Sequence, residues 1–174
     1  MSIRRAQASD ALAIATVHVR SWQSAYRGLL PGDYLDGLDV EERVPRWEQR
    51  LGELDWPRHA VLVTEEAGRV VGFATLTPSR DDDLDPATVG EVAAIYLLPT
   101  AWGQGHGRAL MGAALDALGR AAYGEAALWV LDTNQRARRF YEAGGWRPDG
   151  AAKLDPRPGF TLSEVRYRHP LPRP

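Results

Sequence analysis

The stretch from Tyr96-Leu97-Leu98-Pro99, through Gly103-Gln104-Gly105-His106-Gly107-Arg108, to Ala109-Leu110-Met111 constrains this chain more than any other. An apolar, β-prone run ends in a proline, a glycine-dense turn follows, and an alanine- and leucine-rich helical pattern begins. Strand, glycine turn and helix start, in that order, build an anion site. The first-turn amides of a helix have no partner inside it, the helix dipole favours negative charge there, and glycines let a phosphate approach the main chain. The segment reads as a pyrophosphate cradle.

Spacing narrows the phosphate ligand. The dinucleotide fingerprint G-x-G-x-x-G needs glycine at position 108, where this chain has Arg108. A nucleotide-binding loop ending in Gly-Lys-Ser/Thr is absent. The pattern that fits is Q/R-x-x-G-x-G/A, on Trp102-Gly103-Gln104-Gly105-His106-Gly107. Further along, Leu128-Trp129-Val130-Leu131-Asp132 reads as a strand, and Asn134 caps a helix that Gly144-Gly145 stops. That helix carries Asn134-x-x-Ala137-x-x-Phe140-Tyr141-x-x-x-Gly145-Trp146. On their residues alone, Asn134 is a helix cap and Tyr141 a half-buried aromatic.

Both motifs together resemble the GNAT superfamily of N-acetyltransferases, strongly from Val89 to Trp146 and diffusely elsewhere. Trp102 stands where that family usually has Gln or Arg, and Trp146 takes the final aromatic position. The resemblance implies an α/β (α+β) fold. Its mixed, mostly antiparallel sheet has about seven strands, is flanked by about four helices and is splayed near the middle. It also implies acetyl-CoA as cofactor, with coenzyme A as product. Gly103, Gln104, Gly105, His106, Gly107 and Arg108 would hold the pyrophosphate, mostly through the main chain. Ile95, Tyr96 and Leu97 would pair with the pantetheine arm, which Asn134 would also touch. Tyr141 would bind there too and protonate the departing thiolate. For the base that takes the amine proton, the resemblance points to Glu91, with Asp132 as the other carboxylate near the slot. Glu91 also reads as a solvated strand-end charge, and His18 as either a helix-packing residue or part of the acceptor pocket.

Composition closes off other classes. The chain has 174 residues, which suits one domain with a real core. Its net charge is −2 with arginines scattered, so a broad basic face for nucleic acid is not expected. No apolar run reaches the length of a membrane span, and Met1-Ser2-Ile3-Arg4-Arg5 lacks a signal-peptide core. These features point to a cytoplasmic protein with no membrane partner, for which a homodimer is allowed. There is no cysteine, which excludes disulfides, thiolate metal sites and a cysteine nucleophile. Four histidines far apart in sequence give no reason to expect a metal. Without an acyl-enzyme nucleophile, direct attack in a ternary complex is the expected route.

The apolar spacing predicts a first strand near Ile3-Ala6 and a helix capped by Ser9, with Leu12, Ala15, Val19, Trp22 and Tyr26 as its stripe. A second helix carries Val40, Val44, Trp47, Leu51 and Leu54, with Pro45 kinking it or delaying its start. A hairpin joins Ala60-Thr64 to Val70-Leu76. After it, Asp81-Asp82-Asp83-Leu84-Asp85-Pro86 reads as a solvated turn or as a lip for a cationic acceptor. The expected division is residues 1–57 as acceptor-side helices, 58–146 as the cofactor-binding core and 147–174 as C-terminal strands of one domain. Trp22 and Tyr26 are the expected acceptor-binding residues. The function expected is acetyl transfer to the primary amine of a small molecule. Acetylation of a protein amine, and acyl-CoA binding without turnover, are the competing readings.

Overall fold

Alternating apolar residues build the first half of the sheet. In a computed structural model that describes residues 1–172, β1 (Ser2–Arg5) pairs antiparallel with β2 (Ala60–Glu66). The strand β2 pairs antiparallel with β3 (Arg69–Pro78), and β3 with β4 (Val89–Leu97). The turn between β2 and β3 sets Ala67 and Gly68 at φ 48° and 76°, a left-handed pair that suits the twist of a tight hairpin. Next, β4 pairs in parallel with β5 (Glu125–Leu131). The sheet closes with β5 against β7 (Phe160–Pro170) and β7 against β6 (Arg147–Arg157), both antiparallel. The strand order is β1-β2-β3-β4-β5-β7-β6.

The middle of this sheet is split. The register between β3 and β4 shifts so that Thr75 faces Ala94 while Leu76 faces Val92, which leaves Ala93 as an extra residue. A bulge of this kind bends its strand and re-aims the side chains beyond it. The parallel ladder between β4 and β5 runs only from Val89–Glu125 to Glu91–Ala127. Beyond Glu91 the two strands part, and β4 has no partner on its β5 side.

Helices cover both faces. On one side α4 (His106–Arg120) and α5 (Gln135–Ala143) bury Leu110, Met111, Leu118 and Tyr141 against Leu76, Val92, Leu128 and Tyr167. On the other, α1 (Ala11–Ala25) and α3 (Val44–Gly52) bury Ile14, Val17, Trp47 and Leu51 against Val61, Val63 and Phe73. Five helices stand where about four were expected, because the short α2 (Gly32–Asp36) forms in the stretch that Pro31-Gly32 had marked as a break. Pro45 sits in the first turn of α3 and delays its start rather than kinking it. Asp10, not Ser9, organises the start of α1: its carboxylate accepts from the Gln7 amide at 2.7 Å and pairs with Arg4. Leu12 is 59% exposed and drops out of the buried stripe, which runs through Ile14, Ala15, Val17 and Val19 instead.

Candidate active site

The glycine turn is a row of uncommitted donors. Gly103 and Gly105 have φ of 76° and 88°, a left-handed backbone that residues with a Cβ rarely adopt. Gly105 is the N-cap of α4, so the turn opens directly onto the helix. Among the described residues, the six amides from Gly103 to Arg108 donate to no protein acceptor. A Cβ on Gly103 or Gly105 would meet only open space. Gly107 differs, since its Cβ would point inward, 3.2 Å from Leu97 Cδ1 and 3.4 Å from the Phe140 ring. Its role is to let α4 approach β4 and α5 while its amide stays free.

Two side chains of the turn are engaged by the protein itself. His106 is buried, with Nδ1 3.1 Å from Thr64 Oγ1, so only its main chain is available to a ligand. Gln104 donates back to the Thr100 carbonyl at 2.5 Å, and Arg108 is exposed. Trp102 donates from Nε1 to the Leu97 carbonyl at 3.1 Å, and the Arg136 guanidinium stacks on its ring at 3.7 Å. Of the three β4 residues expected to meet the cofactor arm, Leu97 therefore has its carbonyl already engaged. Ile95 and Leu97 pack toward α4, while Tyr96 packs toward α1.

Where the strands part, the two faces of the sheet communicate. Tyr141 rises from α5 and meets the electrostatic field of Tyr96 and Tyr26 from the other side. Burial raises all three phenols, Tyr141 and Tyr26 strongly, so each keeps its proton. The Tyr141 hydroxyl makes no hydrogen bond among the described residues and is free to donate. The helix beneath it is fixed, because the Tyr167 hydroxyl accepts from Arg138 Nε at 3.1 Å and donates to Glu142 at 2.7 Å. Asn134 caps α5 by accepting from the Ala137 amide at 3.1 Å, which leaves its side-chain nitrogen without a protein partner among the described residues.

On the far side of the slot lies an aromatic chamber. Trp22 packs against Tyr26 and Tyr96 with ring centres 4.9 and 6.2 Å apart, and His18 stacks on Tyr96 at 5.5 Å. Burial, helped by Arg43 and Arg50, lowers His18 to about 3, so it stays neutral and acts as packing. Tyr34 on α2 touches Phe160 at the β6–β7 turn, ring centres 4.8 Å apart, and lies 6.5 Å from the Trp22 ring.

Three carboxylates approach this region in different states. Glu91 is 2% exposed rather than a solvated strand end, and both of its oxygens accept from Arg80, at 2.5 and 3.1 Å. Asp132 accepts from Ser163 Oγ at 2.8 Å and ties β5 to β7. Glu164, which faces Leu131 across the ladder on the same side as Trp129, has no hydrogen bond among the described residues. Its nearest cation is Lys153 at 3.6 Å. Sequence reading passed over Glu164 because an acidic residue on an alternating strand carries no local signal. Only the pairing of β7 with β5 brings it to the slot.

The acidic loop between β3 and β4 is solvated over most of its length, with Asp82, Asp83, Asp85 and Pro86 exposed, but it is not a free lip. Asp81 and Asp83, with Asp149 from β6, converge on the buried Arg166 at 3.2, 2.7 and 2.8 Å. Asp81 also accepts from Trp129 Nε1. A buried guanidinium requires such partners, and here they pin the loop across β5 and β7 with Arg80 at its root. The described residues include no group of three or more His, Asp or Glu side chains placed to hold a metal, and no helix long and apolar enough to cross a membrane.

This architecture recurs in known proteins. The acetyltransferase (GNAT) family matches residues 19–146. The chain is similar to the uncharacterized N-acetyltransferase YuaI of Bacillus subtilis, 33% identical over 168 residues that cover 97% of this chain and 89% of the relative. Among solved structures, the fold resembles yncA, a putative acetyltransferase from Salmonella typhimurium with its cofactor acetyl-CoA. That likeness has a TM-score of 0.73 at 22% identity, covering 100% of this chain and 95% of the other. The PaiA N-acetyltransferase of Thermoplasma acidophilum, in complex with coenzyme A, superposes at a TM-score of 0.71 with 18% identity, covering 97% and 98%. With the family matched over most of its length and the same fold around the glycine turn, this chain belongs to the GNAT family of N-acetyltransferases.

Proposed function

We propose that the protein transfers an acetyl group from acetyl-CoA to the primary amine of a small-molecule acceptor, by direct attack in a ternary complex. The observation that carries this reading is the row of six uncommitted amides from Gly103 to Arg108, set beside α5 at the parting of β4 and β5. Amides at a helix start suit a pyrophosphate, and the open space over Gly103 and Gly105 leaves room for it. The unpaired edge of β4 beyond Glu91 suits an extended pantetheine arm laid down as an added strand, with the Asn134 amide nitrogen as a further donor. Similarity to neighbours described with acetyl-CoA and coenzyme A supports the same donor.

Acetyl-CoA supplies a thioester-activated acetyl group at this slot. The chain's own residues do the rest. Tyr141 keeps its proton and can give it to the leaving sulfur. Glu91 holds Arg80 at the mouth of the slot, and we read it as a positioning carboxylate. The aromatic cluster of Trp22, Tyr26, Tyr34 and Tyr96 on the acceptor side supports a small molecule over a protein segment as acceptor.

The test is acetyl transfer itself. Purified protein with acetyl-CoA and a panel of primary amines should release coenzyme A thiol and give acetylated amine by mass spectrometry. Since the chain has no cysteine, all thiol detected comes from the donor. Acetyl-CoA binding with no transfer to any amine would instead favour a binding module.

A further inference from the structure

Glu164 has neither carboxylate oxygen in a hydrogen bond among the described residues. Glu91 has given both of its oxygens to Arg80, and Asp132 gives one of its two to Ser163. Glu164 keeps a side chain that is 20% exposed, makes no hydrogen bond and meets Lys153 only at 3.6 Å. Lys153 itself rests over the Trp129 ring at 4.1 Å. Glu164 stands opposite Leu131, at the end of β5 that has parted from β4, and its negative charge disfavours ionisation of the Tyr26 and Tyr96 phenols on the acceptor side. Trp22 adds an indole face and a buried Nε1 without a hydrogen-bond partner. A carboxylate with free oxygens beside aromatic faces is a site for an organic cation.

We propose that Glu164 receives the acceptor's ammonium group and takes its proton, and that the chamber accepts compact primary amines with an apolar or aromatic body and no carboxylate beside the nitrogen. This rests on the acetyl-transfer reading above. Protons and bonds balance. Glu164 takes the first ammonium proton and passes it to water, which frees the nitrogen lone pair. The C–N bond then forms as the C–S bond breaks, and Tyr141 gives its proton to the sulfur. The second nitrogen proton, lost as the amide forms, restores Tyr141. A carboxylate next to the amine would lie against Glu164, whose nearby cation Lys153 is already its own partner, while Arg80 is committed to Glu91.

The surroundings tune Glu164 for this task. Burial raises its pKa above the usual carboxylate range and Asp155 adds to that, while Lys153 and Arg157 on β6 oppose it. Arg80 from the β3–β4 loop and the protonated Tyr26 and Tyr96 complete the groups that face it. Raising a carboxyl toward neutrality makes it a better base, at the cost of an earlier loss of activity as pH falls.

The experiment uses 2-phenylethylamine and phenylalanine as matched probes, the full chain, and the variants Glu164→Gln and Glu164→Asp. Binding of acetyl-CoA is followed by calorimetry and turnover by thiol release from pH 6 to 10. The expected result is that wild type acetylates 2-phenylethylamine with kcat/KM at least about tenfold above phenylalanine. Glu164→Gln should lower kcat/KM by about 10²-fold near pH 7. Its deficit should shrink to a few-fold near pH 10, where the amine arrives neutral. Glu164→Asp should recover part of the loss, and acetyl-CoA affinity should stay within about twofold in all variants. A pH-independent deficit, unchanged kinetics in Glu164→Gln, or equal use of phenylalanine would overturn the proposal while leaving the acetyltransferase assignment standing. Acetyl-CoA bound with neither probe acetylated would overturn it too. No acetyl-CoA binding by wild type would instead remove the donor reading on which it rests.

Discussion

Tyr141 is held in its protonated form, because burial and the neighbouring Tyr96 both disfavour the phenolate. Tyr141→Phe removes only the hydroxyl and leaves the ring packed between Trp146 and Tyr167. Turnover should fall at least about tenfold, within the range for lost proton transfer, while acetyl-CoA affinity hardly changes. Single-turnover kinetics beside calorimetry would separate the two effects, and unchanged turnover would return Tyr141 to the core. Glu91 makes the contrasting case. As the partner that fixes Arg80, Glu91→Gln should depress the rate by a similar factor at every pH, whereas a deficit confined to neutral pH would mark Glu91 as the base. Asn134 as the cap of α5 was legible in the sequence, because a side-chain acceptor before a helical run is a local signal, whereas the roles proposed for Asn134 and Tyr141 at the slot came from family resemblance. The pairing of Glu91 with Arg80 was not legible, because the partners stand eleven positions apart across a loop.

At the scale of elements, the glycine turn works through its shape. Gly105→Val places a β-branched residue at φ 88°, where the open space gives no steric clash but the backbone conformation is strained. The turn should relax away from its left-handed form, the amides should lose their convergence, and acetyl-CoA affinity should drop at least about tenfold with the fold retained. Calorimetry with a thermal melt checks both, and unchanged affinity in a folded variant would remove the cradle. Gly107→Val tests something else, since it would push on Leu97 and Phe140 and lower stability as well. The strands and long helices could be read from apolar periodicity. The five-residue α2 could not, because a single turn between glycines and prolines has no period to detect. The parting of β4 from β5 was an expectation of family resemblance. Its local cause, the extra residue at Ala93, shows only in the register.

For the whole molecule, a chain without cysteine and with an amine site across the slot from the donor should follow sequential kinetics. Initial-rate lines should intersect, and mass spectrometry after exposure to acetyl-CoA alone should find no acetyl group on a slot residue. Parallel lines with a trapped acetyl-enzyme would overturn this. The strand order carries a consequence for biosynthesis. The strand β7 lies between β5 and β6, and among the described residues β6 pairs only with β7. When the ribosome has delivered residues only as far as Arg157, β6 has no strand to join, the outer edge of β5 is bare, and Arg166 is not there to gather Asp81 and Asp83. The anion loop and α4 already have β2, β3 and β4 to rest on by then. A nascent chain can thus pack the helix that follows the glycine turn before β7, the strand that carries Glu164, has emerged from the translation machinery.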